Sequence, residues 1–387
     1  MSNILDYIDW RGDLTFDASP FCPVDNLVFS KLIYTDLEGA VPDGFSTSVS
    51  LADAFERYTA LGRGARGGAG DPFPLFERAA KSARFRDVRV CGYEKTFDGQ
   101  RTVQFAAASF LFEGGIYLAF EGTDDSFVGW REDAELAFMD VTEGQREAAD
   151  YARRASDSLD GAFYLGGHSK GGNLAVYAAA FGLAPERVRT VFSNDGPGLN
   201  AVLAGSVEYA AVRRKIEKYI PESSIVGILL PDGSDRTVVK SDGRGLGQHN
   251  VYTWQVRGPF FETADERSPS SVFTDEAVQK WMISMPPEKR KIALDALFDA
   301  LESSGCTTFG ELGENKREGY NAVLRAVMST DPDARRQILE GLKNAAKSGG
   351  EVIWDNVKRR FESSGAIRKV IGKHPAKTGG KPNDGSI

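Results

Sequence analysis

The segment Tyr164–Gly182, with the sequence YLGGHSKGGNLAVYAAAFG, constrains the fold more than any other part of the chain. In it an apolar run ends at two glycines, a lone serine, Ser169, stands between Gly167 and Gly171, and an alanine-rich run follows. This order is typical of a buried strand that turns sharply into a helix, because small side chains let a helix pack close to a sheet. The sequence therefore predicts a strand, a tight turn and a helix, with Ser169 either an ordinary turn residue or a nucleophile presented by the turn.

Strand-like and helix-like patterns alternate on both sides of this segment. Before it, DVRVCGYEKT, RTVQFAAASFLF and GIYLAFEG are short apolar runs separated by turn residues, and GQREAADYARRASDSL has helical periodicity. After it come the strand-like RVRTVFSND and the helix-like LNAVLAGSVEYAAVRRK. Alternation of this kind implies right-handed crossovers and a mostly parallel sheet flanked by helices on both faces. The predicted fold class is therefore α/β.

Changes of composition along the chain predict its organisation. The first part has one amphipathic helix around Leu27–Leu37 and a glycine-rich, mobile loop at Gly62–Gly70. After about Pro259 the strand-like runs stop and helical periodicity takes over. The predicted segments are an N-terminal lead-in at 1–87, an α/β core at 88–260, a helical C-terminal region at 261–373 and a disordered tail at 374–387.

The composition limits what the chain can bind. Hydrophobic residues make up 41% and charged residues 26% of the 387 residues, enough to bury a sizeable core. The net charge of −8 argues against general nucleic-acid binding. Three cysteines far apart in sequence, and an N-terminus without a basic flank and apolar stretch, favour a reducing, cytoplasmic location. Neither a phosphate-binding loop nor zinc-ligand spacing occurs, so no cofactor is expected.

The C-terminal end differs from the rest in charge. From Lys343 on there are ten Lys or Arg against four Asp or Glu, and EVIWDNVKRRFESSGAIRKVIGK is basic and amphipathic, with Ile353, Val357 and Phe361 on one face. Such a helix can lie on an anionic membrane with its apolar face down, or pack on the body of the protein with its basic face in solvent. Peripheral membrane contact is therefore an expectation with a structural alternative.

A serine nucleophile needs a base, and the chain has only three histidines. His168 lies inside the turn, where its position directs it away from Ser169, and His374 lies in the tail. That leaves His249, in a loop ahead of a late strand. The N–H of Lys170, at the start of the helix, then points toward a developing oxyanion. The residues predict Ser169 as nucleophile and His249 as base, unless His249 is only a surface residue of a glycine-rich loop.

Two motifs carry a resemblance to a known family. YLAFEGTDDSFVGWREDAEL resembles the segment of class 3 (fungal-type) lipases in which a strand ends in Phe-x-Gly-Thr or Phe-x-Gly-Ser and a helix begins at Trp-x-x-Asp. With GGHSKGGNLA it gives two motifs in the right order, covering about half of the region Val88–Val256. The whole chain also resembles a family of bacterial lipase-like proteins through DYIDWRGDL, SNDGPG, SIVGILL and the QH ahead of YTWQV.

The resemblance implies an α/β-hydrolase fold, serine ester hydrolysis, and Thr123 as the second oxyanion donor. A Gly-Thr turn at the end of a strand can present both an N–H and a hydroxyl into a site, although Thr123 can also merely cap the segment that follows. Two positions depart from the lipase pattern. Ser224 stands where those lipases usually carry the triad aspartate, and Lys170 follows the nucleophile where an apolar or aromatic residue is common. The Lys170 side chain is expected either to pair with a carboxylate or phosphate of the substrate or to be solvated.

The third triad residue has to come from elsewhere because Ser224 cannot carry the charge. Asp195, in TVFSNDGPG, follows the strand after the serine helix, at the edge of a parallel sheet where catalytic groups gather. Asp242, in VVKSDGRGLG, sits in an Asp-Gly turn, where aspartate is common for local reasons. Serine, acid and histidine in this order match α/β-hydrolases. Asp195 is therefore the predicted acid, with a turn role as its alternative.

The predicted function is a serine hydrolase that cleaves carboxylic esters through a Ser-His-Asp triad and an acyl-enzyme, with a small molecule or lipid as substrate. The stretch Gly62–Gly70, or the helices after Phe261, are candidates for a lid. The alternative is a lipase-fold protein that binds a lipid or protein partner without turnover. The acyl chain, the head group and the oligomeric state stay open.

Overall fold

A computed structural model describes most of the N-terminal two thirds of the chain. The described residues are 2–268 apart from 125, 137, 231 and 232, together with the single positions 288, 291, 295, 298, 299, 302, 307 and 308. The predicted helical region, its basic amphipathic segment and the predicted tail fall almost wholly outside these residues. Those predictions, and the division into four segments, therefore stay predictions.

Eight strands lie side by side in chain order to form the central sheet. The strands from β1 to β4 pair antiparallel, and those from β4 to β8 pair parallel. A separate antiparallel pair lies further along the chain. The mostly parallel α/β sheet predicted from the sequence is confirmed, with an antiparallel meander added at one side. The strands are β1 Val49–Ser50, β2 Arg89–Asp98, β3 Val103–Phe112, β4 Gly115–Phe120, β5 Phe163–His168, β6 Val188–Asn194, β7 Ile216–Pro221, β8 Arg236–Val239, and the pair β9 Val256–Arg257 and β10 Phe260–Phe261.

Helices precede the sheet and connect its parallel strands. In the described part of the chain, no helix combines the length and apolarity that are needed to cross a bilayer. Short 3₁₀ turns occupy Pro185–Arg187, Arg213–Lys215, Gly245–His249 and Val251–Thr253. The α-helices are α1 Ile4–Arg11, α2 Pro23–Leu32, α3 Leu51–Ala60, α4 Phe73–Lys81, α5 Phe127–Glu135, α6 Glu143–Ser158, α7 Lys170–Phe181, α8 Ala201–Ala204 and α9 Val207–Val212.

The alternation of side chains along the strands produces two cores, one on each face of the sheet. On β4, Tyr117 and Ala119 belong to the core shared with the N-terminal helices, whereas Leu118 and Phe120 belong to the core shared with α6 and α7. All four side chains are fully buried. Because burial of one large apolar side chain stabilises a fold by roughly 1.5–3 kcal/mol, each helical layer is held firmly to the sheet.

The N-terminal segment is more than the lead-in with one helix that the sequence predicts. It contains α1 to α4, and these helices share one core with side chains from one face of the sheet. The predicted amphipathic helix is α2, but it ends at Leu32, so that Leu37 lies beyond it. It is also buried on all sides rather than on one. Among its polar residues, Asp25 pairs with Arg84, whose Nε donates to Oδ1 over 2.7 Å.

Candidate active site

Ser169 occupies the sharp turn between β5 and α7. Its backbone has φ 58° and ψ −132°, a left-handed conformation that costs a non-glycine residue energy. The turn is packed so closely on β4 that a Cβ at Gly167 or Gly171 would lie 2.6 Å or 2.2 Å from the carbonyl oxygen of Phe120. On the other side, the Ser169 N–H donates to the carbonyl of Asn194 over 2.9 Å. The flanking glycines are therefore required by the close approach of the neighbouring strand.

Asp195 and His249 are joined by a hydrogen bond. Nδ1 of His249 lies 2.6 Å from Oδ2 of Asp195. The other carboxylate oxygen, Oδ1, accepts from the hydroxyl of Ser224 over 2.5 Å and from the N–H of Gly227 over 3.1 Å. The Asp195 side chain is 1% exposed, whereas that of His249 is 29% exposed. The buried carboxylate thus has partners on both oxygens and orients an imidazole that solvent can reach.

The two aspartates that the sequence offers as acids are separated by the structure. Asp195 lies against His249, while Oδ1 of Asp242 accepts from the side-chain amide of Gln255 over 2.7 Å. Ser224, at the position where lipases carry the acid, donates to Asp195. Ser224 therefore stabilises, by a hydrogen bond, an aspartate that lies at the end of the neighbouring strand β6.

His168 is buried beside His249. Its Nε2 lies 2.8 Å from the backbone carbonyl of His249, and the two rings are 4.4 Å apart between centroids. Because a carbonyl only accepts, Nε2 of His168 carries the proton, and Nδ1 accepts from the hydroxyl of Tyr34 over 3.1 Å. Burial, together with the nearby His249, holds the pKa of His168 well below its ordinary value. His168 is thus a neutral residue that holds the His249 loop.

Ser169 and His249 are not in direct hydrogen-bond contact. Among the hydrogen bonds of the described residues, none joins the Ser169 hydroxyl to the His249 ring. Since Nδ1 of His249 faces Asp195, Nε2 is the nitrogen left to face a serine hydroxyl. Hydrogen bonds of this kind are frequently long without substrate and tighten when one binds.

The end of β4 brings a second backbone segment to the serine. A Cβ at Gly122 would lie 3.2 Å from Cβ of Ser169 and 2.4 Å from the carbonyl of His168, so only glycine fits there. Thr123 follows directly, and its hydroxyl donates to Oδ2 of Asp133 on α5. Burial raises the pKa of Asp133 to about 6, against the opposing effects of Lys170 and the Thr123 hydroxyl. The hydroxyl of Thr123 is thus engaged by α5, and its role as an oxyanion donor stays a prediction.

The Lys170 side chain overturns both sequence-based expectations for it. It is 1% exposed, so it is neither solvated nor in reach of a substrate. Its ammonium donates to the backbone carbonyl of Gln104 over 2.6 Å, to the side-chain oxygen of Gln104 over 2.8 Å, and to Oε2 of Glu132 over 2.7 Å. Only the backbone N–H of Lys170, at the start of α7, stays as a group that can face the site.

Four residues of this region were not identified from the sequence. The Trp-x-x-Asp pattern contains Asp133 and so carried a signal for it, because Trp130 lies three residues earlier. Glu132 lies beside it in the same pattern, whereas Tyr34 and Gln104 come from distant segments without a recognisable motif. Asp133 and Glu132 could have been found from the sequence by asking why acidic residues stand in a helix that packs near the serine.

The described residues offer no metal-binding arrangement. No group of three or more His, Cys, Asp or Glu side chains in that part of the chain is placed to hold a metal ion. The buried thiols Cys22 and Cys91 are free, and burial raises the pKa of Cys91 to about 11.

Comparisons with known proteins give one family match and several distant structural likenesses. A model of the Mbeg1-like family matches residues 79–299, more than half of the chain. No curated protein matches the sequence. Solved structures that resemble the chain include a fungal lipase–inhibitor complex (15% identity, 56% of this chain and 77% of that chain, TM-score 0.33), the Rhizomucor miehei lipase propeptide complex (14%, 56% and 67%, 0.33) and M37 lipase (14%, 52% and 67%, 0.32).

Proposed function

This chain belongs to the Mbeg1-like family, and we propose that it is a serine hydrolase that cleaves carboxylic esters through an acyl-enzyme. Ser169 is the nucleophile, His249 the general base and Asp195 the acid that orients the imidazole. The proposal rests on one observation above all. An aspartate buried to 1% exposure holds Nδ1 of a partly exposed histidine at 2.6 Å, and the carbonyl of the preceding Asn194 accepts from the N–H of Ser169, whose backbone φ is 58°.

The path of the proton depends on which tautomer of His249 is stabilised by Asp195. A carboxylate accepts from Nδ1–H, so the neutral His249 presents an unprotonated Nε2 toward the site. This nitrogen takes the proton of the Ser169 hydroxyl as the oxygen attacks the ester carbonyl, and Asp195 stabilises the resulting imidazolium. His249 then gives the proton to the leaving alcohol, and water releases the acyl group by the reverse sequence.

Two backbone N–H groups are proposed to hold the oxyanion. Lys170 offers its N–H at the start of α7, where the helix dipole favours negative charge. Thr123 offers its N–H from the segment that Gly122 brings against Ser169. Loss of one such donor costs about 10²- to 10³-fold in turnover in well-studied hydrolases.

The glycine-rich stretch Gly62–Gly70 is the lid candidate within the described residues. The carbonyl of Ala69 accepts from the side chain of Asn250 over 2.8 Å, and the carbonyl of Asp71 accepts from the hydroxyl of Tyr252 over 2.9 Å. Asn250 and Tyr252 belong to the loop of His249. These contacts support a lid that is coupled to the proposed base, whereas the predicted helices after Phe261 lie almost wholly outside the described residues.

A fluorophosphonate probe tests the proposal directly. The purified full-length protein should be labelled at Ser169, as read by mass spectrometry, and should hydrolyse aryl esters or acylglycerols of short or medium chain. Ser169→Ala should abolish labelling and lower turnover by roughly 10⁴-fold or more with the fold intact. Ser158→Ala, at an exposed position at the end of α6, is the matched control.

The alternative is a lipase-fold protein that binds without turnover. It becomes the better description if the probe leaves Ser169 unlabelled and the wild type is no faster than Ser169→Ala on the whole ester panel.

A further inference from the structure

Lys31 is a buried cation next to the candidate active site. It lies in the last turn of α2, and only 7% of its surface is exposed. The ammonium lies 4.2 Å from the ring centroid of Tyr34 and 5.6 Å from that of Tyr252. Two aromatic faces therefore flank it.

Within the described residues, no anionic group is in direct contact with the Lys31 ammonium. In that part of the chain the Lys31 ammonium makes no hydrogen bond and no ion pair within 4 Å, whereas Lys170, which is 1% exposed, has three acceptors. The carboxylates of Glu121 and Asp71 act on Lys31 only through space. Cation–π contact offsets only part of the cost of removing most of a lysine side chain from water.

The two tyrosines connect Lys31 to the site. The Tyr34 hydroxyl contacts Nδ1 of His168, and a Cβ at Gly122 would lie 2.1 Å from it. Tyr252 lies three residues after His249 and anchors the carbonyl of Asp71. The ammonium is therefore bordered by one residue that contacts the serine turn and another from the loop of the proposed base.

We propose that Lys31 forms an anion subsite, which binds a carboxylate or phosphate group carried by the ester substrate. The inference rests on the proposed function for the ester part of the substrate, but the binding of the anionic group does not require turnover.

The pH range in which the subsite is cationic depends on the groups that face Lys31. These groups are Glu121, Asp71, Tyr34, Tyr252 and His168. Burial lowers the pKa of Lys31 to about 8, against the opposing effects of Glu121 and Asp71. The subsite is therefore cationic at neutral pH, and the preference for an anionic substrate should fall as the pH rises through about 8.

The kinetic experiment compares matched esters. The first pair is 4-nitrophenyl hexanoate and mono-4-nitrophenyl adipate, which carries a terminal carboxylate. The second pair is 1-hexanoylglycerol and its 3-phosphate. The measured quantity is the ratio of kcat/KM for each anionic ester to that for its neutral partner. Lys31→Met should lower this ratio by about 10- to 100-fold for the preferred anion. Lys31→Arg should keep the preference and extend it to higher pH. The control Lys81→Met, at an exposed pair with Glu77, should leave the ratio unchanged.

A binding experiment separates this inference from the proposed function. The Ser169→Ala protein is titrated with hexanoate, hexyl phosphate and hexanol, with and without Lys31→Met, and folding is checked by circular dichroism. Tighter binding of either anion than of hexanol, lost with Lys31→Met, supports the subsite even if no ester is cleaved, and the tighter anion identifies the group. Equal binding of all three ligands, or an anion preference that survives in folded Lys31→Met, overturns it.

Discussion

The ammonium of Lys170 lies 2.7 Å from Oε2 of Glu132, and neither side chain is more than 1% exposed. This ion pair joins the start of α7 to α5. The next residue of α5, Asp133, accepts a hydrogen bond from Thr123. Consecutive residues of one helix therefore hold the two residues whose N–H groups we assign to the oxyanion.

Removing one partner of this pair should destabilise the fold strongly. Lys170→Met leaves Glu132 as a buried, unpaired carboxylate and should lower the free energy of unfolding by about 3–5 kcal/mol. The double variant Lys170→Met, Glu132→Gln should regain most of the loss, because the amide oxygen can still accept from the backbone N–H of Gln104 or Gly144. The free energies of unfolding of the single and the double variant are measured by urea unfolding, followed by tryptophan fluorescence.

The exposed pair of Lys81 with Glu77 serves as the comparison. Lys81→Met should change the free energy of unfolding by no more than about 0.5 kcal/mol, since an exposed pair on one helix contributes little. A double variant as unstable as Lys170→Met alone would show that the lost contacts, rather than the unpaired charge, set the cost.

His168 should support turnover without titrating. His168→Phe keeps a ring against His249 but removes the hydrogen bond to its carbonyl. A shift of the His249 loop by an ångström can cost about 10²-fold, so we expect kcat to fall roughly 10- to 100-fold with a smaller change in KM. Tyr34→Phe, which removes only the hydroxyl that contacts His168, should have a milder effect.

The pH profile distinguishes this role from that of a proton carrier. Burial keeps the pKa of His168 well below its ordinary value, so it is neutral throughout the working range. The midpoints of the kcat profile should therefore be the same in His168→Phe and wild type. A displaced midpoint with undiminished kcat would contradict the positioning role.

Glu121 should make the protein less stable as the pH rises. Burial, with a further contribution from Asp124, raises its pKa to about 7, although Lys170 and other lysines oppose the shift. The folded state thus holds the proton more tightly than the unfolded chain, and the associated stability is full below about pH 4.5 and lost as the pH passes 7. Glu121→Gln should remove this loss.

The difference in unfolding free energy between Glu121→Gln and wild type isolates this one group. It should grow in favour of the variant from pH 4.5 to 8 and level off at about 1–3 kcal/mol. Glu77→Gln, at an exposed position, should show no such trend. A difference that does not vary with pH would mean that the pKa of Glu121 is the same in the folded and the unfolded state.

The parts of the site that were predictable are those encoded locally. The strand, turn and helix around Ser169 follow from an apolar run, two glycines and an alanine-rich run in one short segment. The burial of Lys170 was not predictable, because its partner Glu132 is 38 residues away and α5 had to be placed first. Tyr34 contacts His168 across 134 residues of sequence. Long-range pairs of polar residues leave no periodic signal, whereas elements of secondary structure do.

The hydrogen bonds around Asp195 also explain what its substitution should do. Oδ1 accepts from Ser224 and Gly227, so in Asp195→Asn the amide oxygen stays on that side and the NH₂ group turns to His249.

Nδ1 of His249 then has to accept from this NH₂ group, the ring proton moves to Nε2, and the base can no longer take the proton of Ser169. We expect turnover to fall by roughly 10⁴-fold, with circular dichroism and thermal unfolding close to wild type. Asp242→Asn should change turnover only a few-fold at most, because an amide oxygen can still accept from Gln255. If Asp242→Asn is instead the variant that loses activity, the acid is misassigned, and if both keep full activity, His249 works without a carboxylate.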